Sequence, residues 1–246
     1  MIIITGDTHG DVRRFRNENI RQIIGSEDLS EISHSIILGD FGLIWSGQQT
    51  SEEKYWLKWL DEKPYETLAI LGNHEHYERI YNLPTEERYG SPVYRVSDKV
   101  FILQHGYKYM IEGKSFFVFG GADSIDKEHR VNRLTWWQEE IPTTADFHRG
   151  LKTCDDNNWT FDYVLTHTAP TSAVAELKRI NPATFFDGSE YYELKGGDPT
   201  TKMLEAFIAE MKCRRWFFGH FHSNNDFTVN NINFSLLYYG FKTIDT

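Results

Sequence analysis

Time after time along this chain, a short apolar run ends directly on a turn rich in glycine, aspartate, asparagine and histidine. Ile2-Ile3-Ile4-Thr5 leads into Gly6-Asp7-Thr8-His9, Ile36-Ile37-Leu38 into Gly39-Asp40, and Leu68-Ala69-Ile70-Leu71 into Gly72-Asn73-His74-Glu75. Later, Val164-Leu165-Thr166 ends at His167, and Trp216-Phe217-Phe218 at Gly219-His220-Phe221-His222. Short, continuous, β-branched hydrophobicity is expected of central strands buried on both faces. In α/β sheets ligand sites gather beyond strand C-terminal ends, and glycine permits the tight turns that bring short side chains to one point. The pattern therefore asks for a fold in which these strand ends meet.

Between the runs, helical spacing takes over. Val12, Phe15, Ile20, Ile23 and Ile24 predict an amphipathic helix closing at Gly25, and Trp56, Leu57, Trp59 and Leu60 a helix over Ser51 to Glu62. Strand and helix alternate, which predicts an α/β fold with a mainly parallel sheet at its start. The middle differs: Val93 to Val96, Val100 to Leu103, Tyr107 to Ile111 and Ser115 to Phe119 are aromatic and β-branched runs separated by turn residues, and predict an antiparallel meander. Asp198-Pro199 reads as an N-cap and first helical residue before Met203, Leu204, Phe207, Ile208 and Met211, and short strands are expected over Asn225 to Val229 and Asn231 to Leu237.

Composition narrows the classes. With 246 residues, 40% of them hydrophobic, the chain can bury the core of one large domain spanning residues 1–246. No apolar run approaches the roughly 20 residues that span a bilayer, and the apolar start is too short for a signal peptide. Cys154 and Cys213 form no Cys-x-x-Cys pair, so neither a disulfide framework nor a thiolate zinc site is expected; a reducing cytoplasm is the natural setting. A formal net charge of -10 argues against stable nucleic-acid binding.

Of the ten histidines, those at the strand ends stand with Asp7, Asp40 and Asn73. Imidazole and carboxylate donors without thiolates suit Mn, Fe, Zn, Ni or Co, and point to a catalytic rather than a structural metal site. Asp7-Thr8-His9, Gly39-Asp40, Gly72-Asn73-His74-Glu75, His167 and Gly219-His220-Phe221-His222 resemble, in order, the motifs of the calcineurin-like metallophosphoesterase superfamily, in particular its bacterial and phage-type members. The resemblance runs from residue 7 to residue 222 and implies a two-sheet β-sandwich flanked by helices, with a dimetal site at strand C-terminal ends. It implies one metal on Asp7, His9, Asp40 and His222 and a second on Asp40, Asn73, His167 and His220, with Asp40 shared. Manganese is the expected ion. The two cations outweigh the two carboxylates, leaving a positive site for a phosphate ester, and lower the pKa of a shared water that attacks phosphorus. His74 is left over as general acid for the leaving oxygen or as a stabiliser of phosphoryl oxygens. The expected activity is hydrolysis of phosphate monoesters or diesters; the alternatives are a non-catalytic scaffold on the same fold and, as a diesterase variant, a nuclease.

The chain also departs from relatives. In the phosphoprotein phosphatase branch the second motif continues to an Asp-Arg pair, and Leu43 and Ile44 stand there instead. This argues against a typical Ser/Thr protein phosphatase and leaves Arg13, Arg14, Arg79 and Arg130 as candidates for the phosphate cation. Gly120 to Arg130 reads as a loop over the site or a surface turn, Trp136-Trp137 as packing residues. His34, His105 and His148 read as surface or packing histidines, and His76 as a helix-start residue. Glu75 is expected to orient a ligand or to sit as a carboxylate at a helix start. Ile180 to Gly197 reads as a surface excursion, with a cap over the site as the alternative.

Overall fold

In β1 (Ile2–Thr5), alternate side chains enter different cores: Ile2 and Ile4 pack between two sheets, while Ile3 faces helices on the other side. This is why the run is apolar at successive positions. The structure is a computed structural model, described over residues 1–185 and 197–246. Beside β1 lie β2 (His34–Ile37), β3 (Glu66–Ile70) and β6 (Val100–Leu103), all parallel, with Ile4 opposite Ile36 and Thr67 opposite Val100. A hairpin of β4 (Thr85–Arg88) and β5 (Ser91–Arg95) extends one edge, and β13 (Phe241–Ile244) pairs antiparallel with β1 on the other, completing a seven-stranded sheet.

The second sheet has six strands in the order β11 (Asn225–Val229), β12 (Ile232–Leu236), β10 (Arg215–Phe218), β9 (Tyr163–Thr166), β8 (Lys114–Phe119) and β7 (Tyr107–Ile111). Here β8, β9, β10 and β12 are parallel. Leu38, Ile70 and Leu103 from the first sheet meet Phe116, Val118, Leu165 and Phe217 from the second, closing the inter-sheet core. Outside the first sheet, Ile20 of α1 (Asn17–Ile24), Leu57 and Leu60 of α2 (Ser51–Asp61) and Tyr77 and Ile80 of α3 (Tyr77–Tyr81) bury its other face. Outside the second, Cys154 of α4 (Thr144–Asp156), Leu177 of α5 (Thr171–Ile180) and Phe207 of α6 (Pro199–Ile208) do the same. The expected helix-flanked sandwich is thus observed, and among the described residues no helix is long and apolar enough to cross a membrane.

Several local expectations change. The meander is broken, because β6 pairs with β3 and the chain crosses to the other sheet before β7 begins. Strand propensity is the same on either side of that crossing, so the sequence carries no mark of it. The first helix is split: Val12–Phe15 form a 3-10 turn capped by Asp11, and α1 begins at Asn17 and ends on left-handed Gly25. The N-cap at Asp198 is observed, its side chain accepting from the Thr200 N–H. Residues 186–196, most of the Ile180 to Gly197 stretch, lie outside the described residues.

Phe207 ties α6 to the sheet that supplies His167 and His220, with ring centroids 5.2 Å from both Phe117 and Phe119. Phe207→Ala is expected to cost about 3–5 kcal/mol of unfolding free energy through the cavity it leaves. Urea denaturation followed by tryptophan fluorescence checks this; a loss below about 1 kcal/mol would mean the layer can collapse around the gap.

Candidate metal centre

Strand ends from both sheets deliver the polar residues. Asp7 and His9 follow β1, Asp40 follows β2, Asn73 and His74 follow β3, His167 follows β9, and His220 and His222 follow β10. His9, Asp40, His220 and His222 adopt left-handed backbone conformations, with φ of 45°, 49°, 70° and 47°. Each carries a cost on the order of 1 kcal/mol for a residue with a Cβ, and such strain concentrates where function over-determines the backbone. Close approach fixes the glycines beside them: at Gly39, φ 86°, a Cβ would lie 2.3 Å from His167 Nδ1, and at Gly219 it would lie 2.2 Å from Asp7 Oδ1.

All seven candidate ligands converge. His9 Nε2 and His222 Nε2 are 2.9 Å apart, and His222 Nε2 is 3.2 Å from Asp7 Oδ2. His9 Nε2 also lies 3.7 Å from Asp40 Oδ2. On the other side of Asp40, His167 Nε2 is 3.3 Å from Asp40 Oδ1 and 2.9 Å from Asn73 Oδ1, and His220 Nδ1 is 3.1 Å from the same amide oxygen. The Nδ1–H of His167 donates to the Leu38 carbonyl at 2.7 Å, which leaves Nε2 of the neutral ring with a lone pair for a cation and Nε2 of the protonated ring with an N–H for Asp40 and Asn73. On a neutral His167 ring a lone pair thus faces the oxygens of Asp40 and Asn73, within a buried pocket holding the carboxylates of Asp7 and Asp40. A cation or an added proton satisfies that contact, and the oxygen and imidazole ligands fit divalent first-row ions. Ligand atoms of Asp7, His9 and His222, and of Asp7, Asp40 and His167, each lie mutually within 4.8 Å, so Asp7 is common to both groups, while Asp40 lies between His9 and His167.

Titration follows from this field. Burial disfavours the Asp40 carboxylate, but the imidazoles of His167, His74 and His9 outweigh burial and hold its pKa well below the usual range. Burial likewise opposes a proton on His167, yet the Asp40 carboxylate prevails and pushes it up to about 10, whereas burial takes His220 down to about 3. Burial also lowers His74, against the pull of Asp40.

Hydrogen bonds within the motifs and from residues outside them hold the ligands. The Asp40 carbonyl accepts from the His9 N–H at 2.8 Å, and Asp40 Oδ1 accepts from the His74 N–H at 2.8 Å. Glu75, neither orienting a histidine nor capping a helix as expected, accepts from the Phe41 N–H at 2.7 Å and so braces the Asp40 turn; burial pushes its pKa up to about 8. Arg14 donates to the Asp7 carbonyl at 2.7 Å and to the Tyr238 carbonyl, tying the first loop to the C-terminal segment. Sequence reasoning missed a relay on the second half: Asn73 Nδ2 donates to Ser124 Oγ at 3.0 Å, and Glu140 accepts from both the Ser124 N–H and its hydroxyl at 2.7 and 3.0 Å. Trp136 Nε1 closes it with a 2.8 Å bond to Glu140. The pair sits 16 residues apart in a loop, and no spacing rule would link it to Asn73.

Asp40, Asn73, His74, His220 and His222 line a cavity of about 640 Å³, and Ser124 and Arg130 from the Gly120 to Arg130 loop line it with them, so that loop does border the site. Arg79 is engaged by Glu53 at 2.7 Å and Arg13 by Asp11, while Leu43 and Ile44 are buried against the helices. Trp137 is a packing residue, its ring tilted against that of His76 with centroids 4.5 Å apart, and His76 caps the start of α3 as expected.

A profile of the calcineurin-like phosphoesterases matches residues 1–224. The chain belongs to that family and carries candidate ligands for the dinuclear metal centre typical of it. Among solved structures, it is similar to a Staphylococcus aureus protein assigned as a 5'-nucleotidase in complex with alpha-ketoglutarate, with 15% identity and a TM-score of 0.49 over 97% of this chain and 48% of that one. The chain therefore spans about half the length of that relative. It is also similar to the phosphopantetheinyl hydrolase of Mycobacterium tuberculosis, with 15% identity and a TM-score of 0.45 over 97% of this chain and 89% of that one. No curated protein sequence matches it.

If the relay orients the Asn73 amide oxygen, Ser124→Ala should weaken metal retention by about 10–100-fold, the usual effect of losing a partner that orients a ligand. Competition of purified protein against a fluorescent chelator checks this; unchanged affinity would reduce the relay to loop packing.

Proposed function

We propose that the chain hydrolyses phosphate esters at a two-metal site in which Asp7, His9, Asp40 and His222 hold one ion and Asp40, Asn73, His167 and His220 the other, with Asp40 shared and manganese the preferred ion. The single observation that carries this reading is the convergence of ligand-type atoms: imidazole nitrogens, carboxylates and an amide oxygen from both sheets face one another at 2.9–3.3 Å. Bound there, two divalent cations supply charge neutralisation for the phosphoryl group and a water made nucleophilic near neutral pH.

The protein's own residues do the rest. Leu38 fixes the His167 tautomer through its carbonyl, and Ser124 fixes the rotamer of Asn73, so that each presents an acceptor atom without reorganising. Asp40 Oδ1 takes the His74 N–H and thereby places the His74 ring beside the junction of the two halves, at the wall of the cavity. His74 carries a ring N–H in either protonation state, so it can give a proton to the leaving oxygen or donate a hydrogen bond to a phosphoryl oxygen. The cavity also offers apolar walls, Val174, Phe185 and Phe221 among them, to the leaving group.

Metal-loaded protein is expected to hydrolyse p-nitrophenyl phosphate or its bis ester, to lose activity on exhaustive chelation and to regain it with Mn(II). His74→Ala should lower kcat by about 10²–10⁴-fold while retaining its metal, the range of general acid catalysis. Asp40→Asn should lose both metal and turnover. A wild type that binds no metal, or an Asp40→Asn variant that turns over normally, would overturn the assignment and favour a scaffold on the same fold.

A further inference from the structure

Cations would occupy the two halves of the centre, but a phosphate also needs donors for the oxygens that they would not reach. Of the four arginines near the site, three are committed elsewhere: Arg13 to the exposed Asp11, Arg14 to the backbone of the first loop and the C-terminal segment, and Arg79 to Glu53. Arg130 lines the same cavity as Asp40, Asn73 and His74. Its Nε is anchored by Asp126 at 2.8 Å, and its Nη1 lies 3.3 Å from the Thr135 carbonyl. The loop beneath it is tied down, with the Gly121 N–H donating to Leu71 at 2.7 Å and the Arg130 N–H to Lys127 at 3.1 Å.

The other edge of the guanidinium meets His74. Nη1 lies 3.3 Å from His74 Nδ1 and Nη2 3.2 Å from His74 Nε2. A neutral imidazole offers one lone pair, and the lone-pair directions of its two nitrogens diverge, so at most one of these contacts is a hydrogen bond. A guanidinium has more N–H groups than Asp126, Thr135 and one imidazole nitrogen accept. Although its side chain is only 13% exposed, Arg130 therefore keeps donor capacity in hand at the cavity wall, next to the proposed proton donor. A buried donor left without acceptors is costly, which makes the edge a receptor for a planar or tetrahedral oxyanion.

We infer that Arg130 and His74 together bind the non-bridging oxygens of a phosphate, and that the site is thereby fitted to monoester dianions in preference to diesters. The inference rests on the two-metal reading above and adds the substrate class. A monoester presents one more charged terminal oxygen than a diester, and the fixed guanidinium is placed to take it. Bidentate, charge-assisted geometry is what arginine supplies and lysine does not.

The test compares p-nitrophenyl phosphate with bis-p-nitrophenyl phosphate for manganese-loaded wild type, Arg130→Ala, Arg130→Lys and, as a control on the exposed part of the same loop, Arg133→Ala. Metal content is measured on every sample. Arg130→Ala is expected to retain its metal, to lose about 100-fold or more in kcat/KM for the monoester and no more than about tenfold for the diester, and to raise the inhibition constant of inorganic phosphate. Arg130→Lys should recover part of the phosphate affinity, and Arg133→Ala should match wild type. Equal losses on both esters with metal retained, or unchanged phosphate inhibition, would overturn the role of Arg130 while leaving the metal centre standing. Loss of metal or of all turnover in the wild type would instead strike the two-metal reading itself.

Discussion

The Asp40 carboxylate, buried between two sets of imidazoles, is the interaction on which the rest of the structure depends. It belongs to the first sheet, yet His167, 3.3 Å away, belongs to the second, and the backbone N–H of His74 is fixed on the same oxygen. A buried charge without compensation costs several kcal/mol, and here a second carboxylate, Asp7, lies in the same basin. Everything around the pair is arranged to keep acceptors close together that would otherwise separate.

The devices are local and additive in purpose. Left-handed backbone at His9, Asp40, His220 and His222 turns the side chains inward, and glycines at 39 and 219 let the two sheets close over them. Glu75 grips the turn after Asp40, Arg14 grips the turn holding Asp7, and Ser124 with Glu140 grips Asn73. Packing supplies the rigid base: the inter-sheet core runs directly beneath the ligand loops through Leu38, Ile70, Leu165 and Phe217. A cation held by ligands that converge only in the folded chain would stabilise that fold, coupling binding to folding.

Much of this was legible in the sequence, for a physical reason. Central parallel strands are apolar on both faces and end abruptly, so Asp7, Asp40, Asn73, His167 and His220 announced themselves by following such runs. What stayed hidden depended on partners far along the chain. The break between β6 and β7 leaves no mark in propensity, and the pairing of β13 with β1 closes a sheet from the opposite end of the chain. Arg14, Arg79 and Arg130 looked alike as sequence; only the positions of Tyr238, Glu53 and Asp126 separate an arginine that ties loops from one that faces the cavity. Glu75 likewise could not be told from a helix-start carboxylate until the Phe41 N–H was seen to point at it.

That two cations share Asp40 is the central claim, and electron paramagnetic resonance of metal-free protein titrated with Mn(II) addresses it most directly. Two ions bridged by one carboxylate are magnetically exchange-coupled, so the expected result is a multiline spectrum with about half the hyperfine spacing of a lone ion, growing to two equivalents and absent from Asp40→Asn. A spectrum of isolated Mn(II) that saturates at one equivalent, or one unchanged by Asp40→Asn, would contradict a shared carboxylate at the heart of this fold.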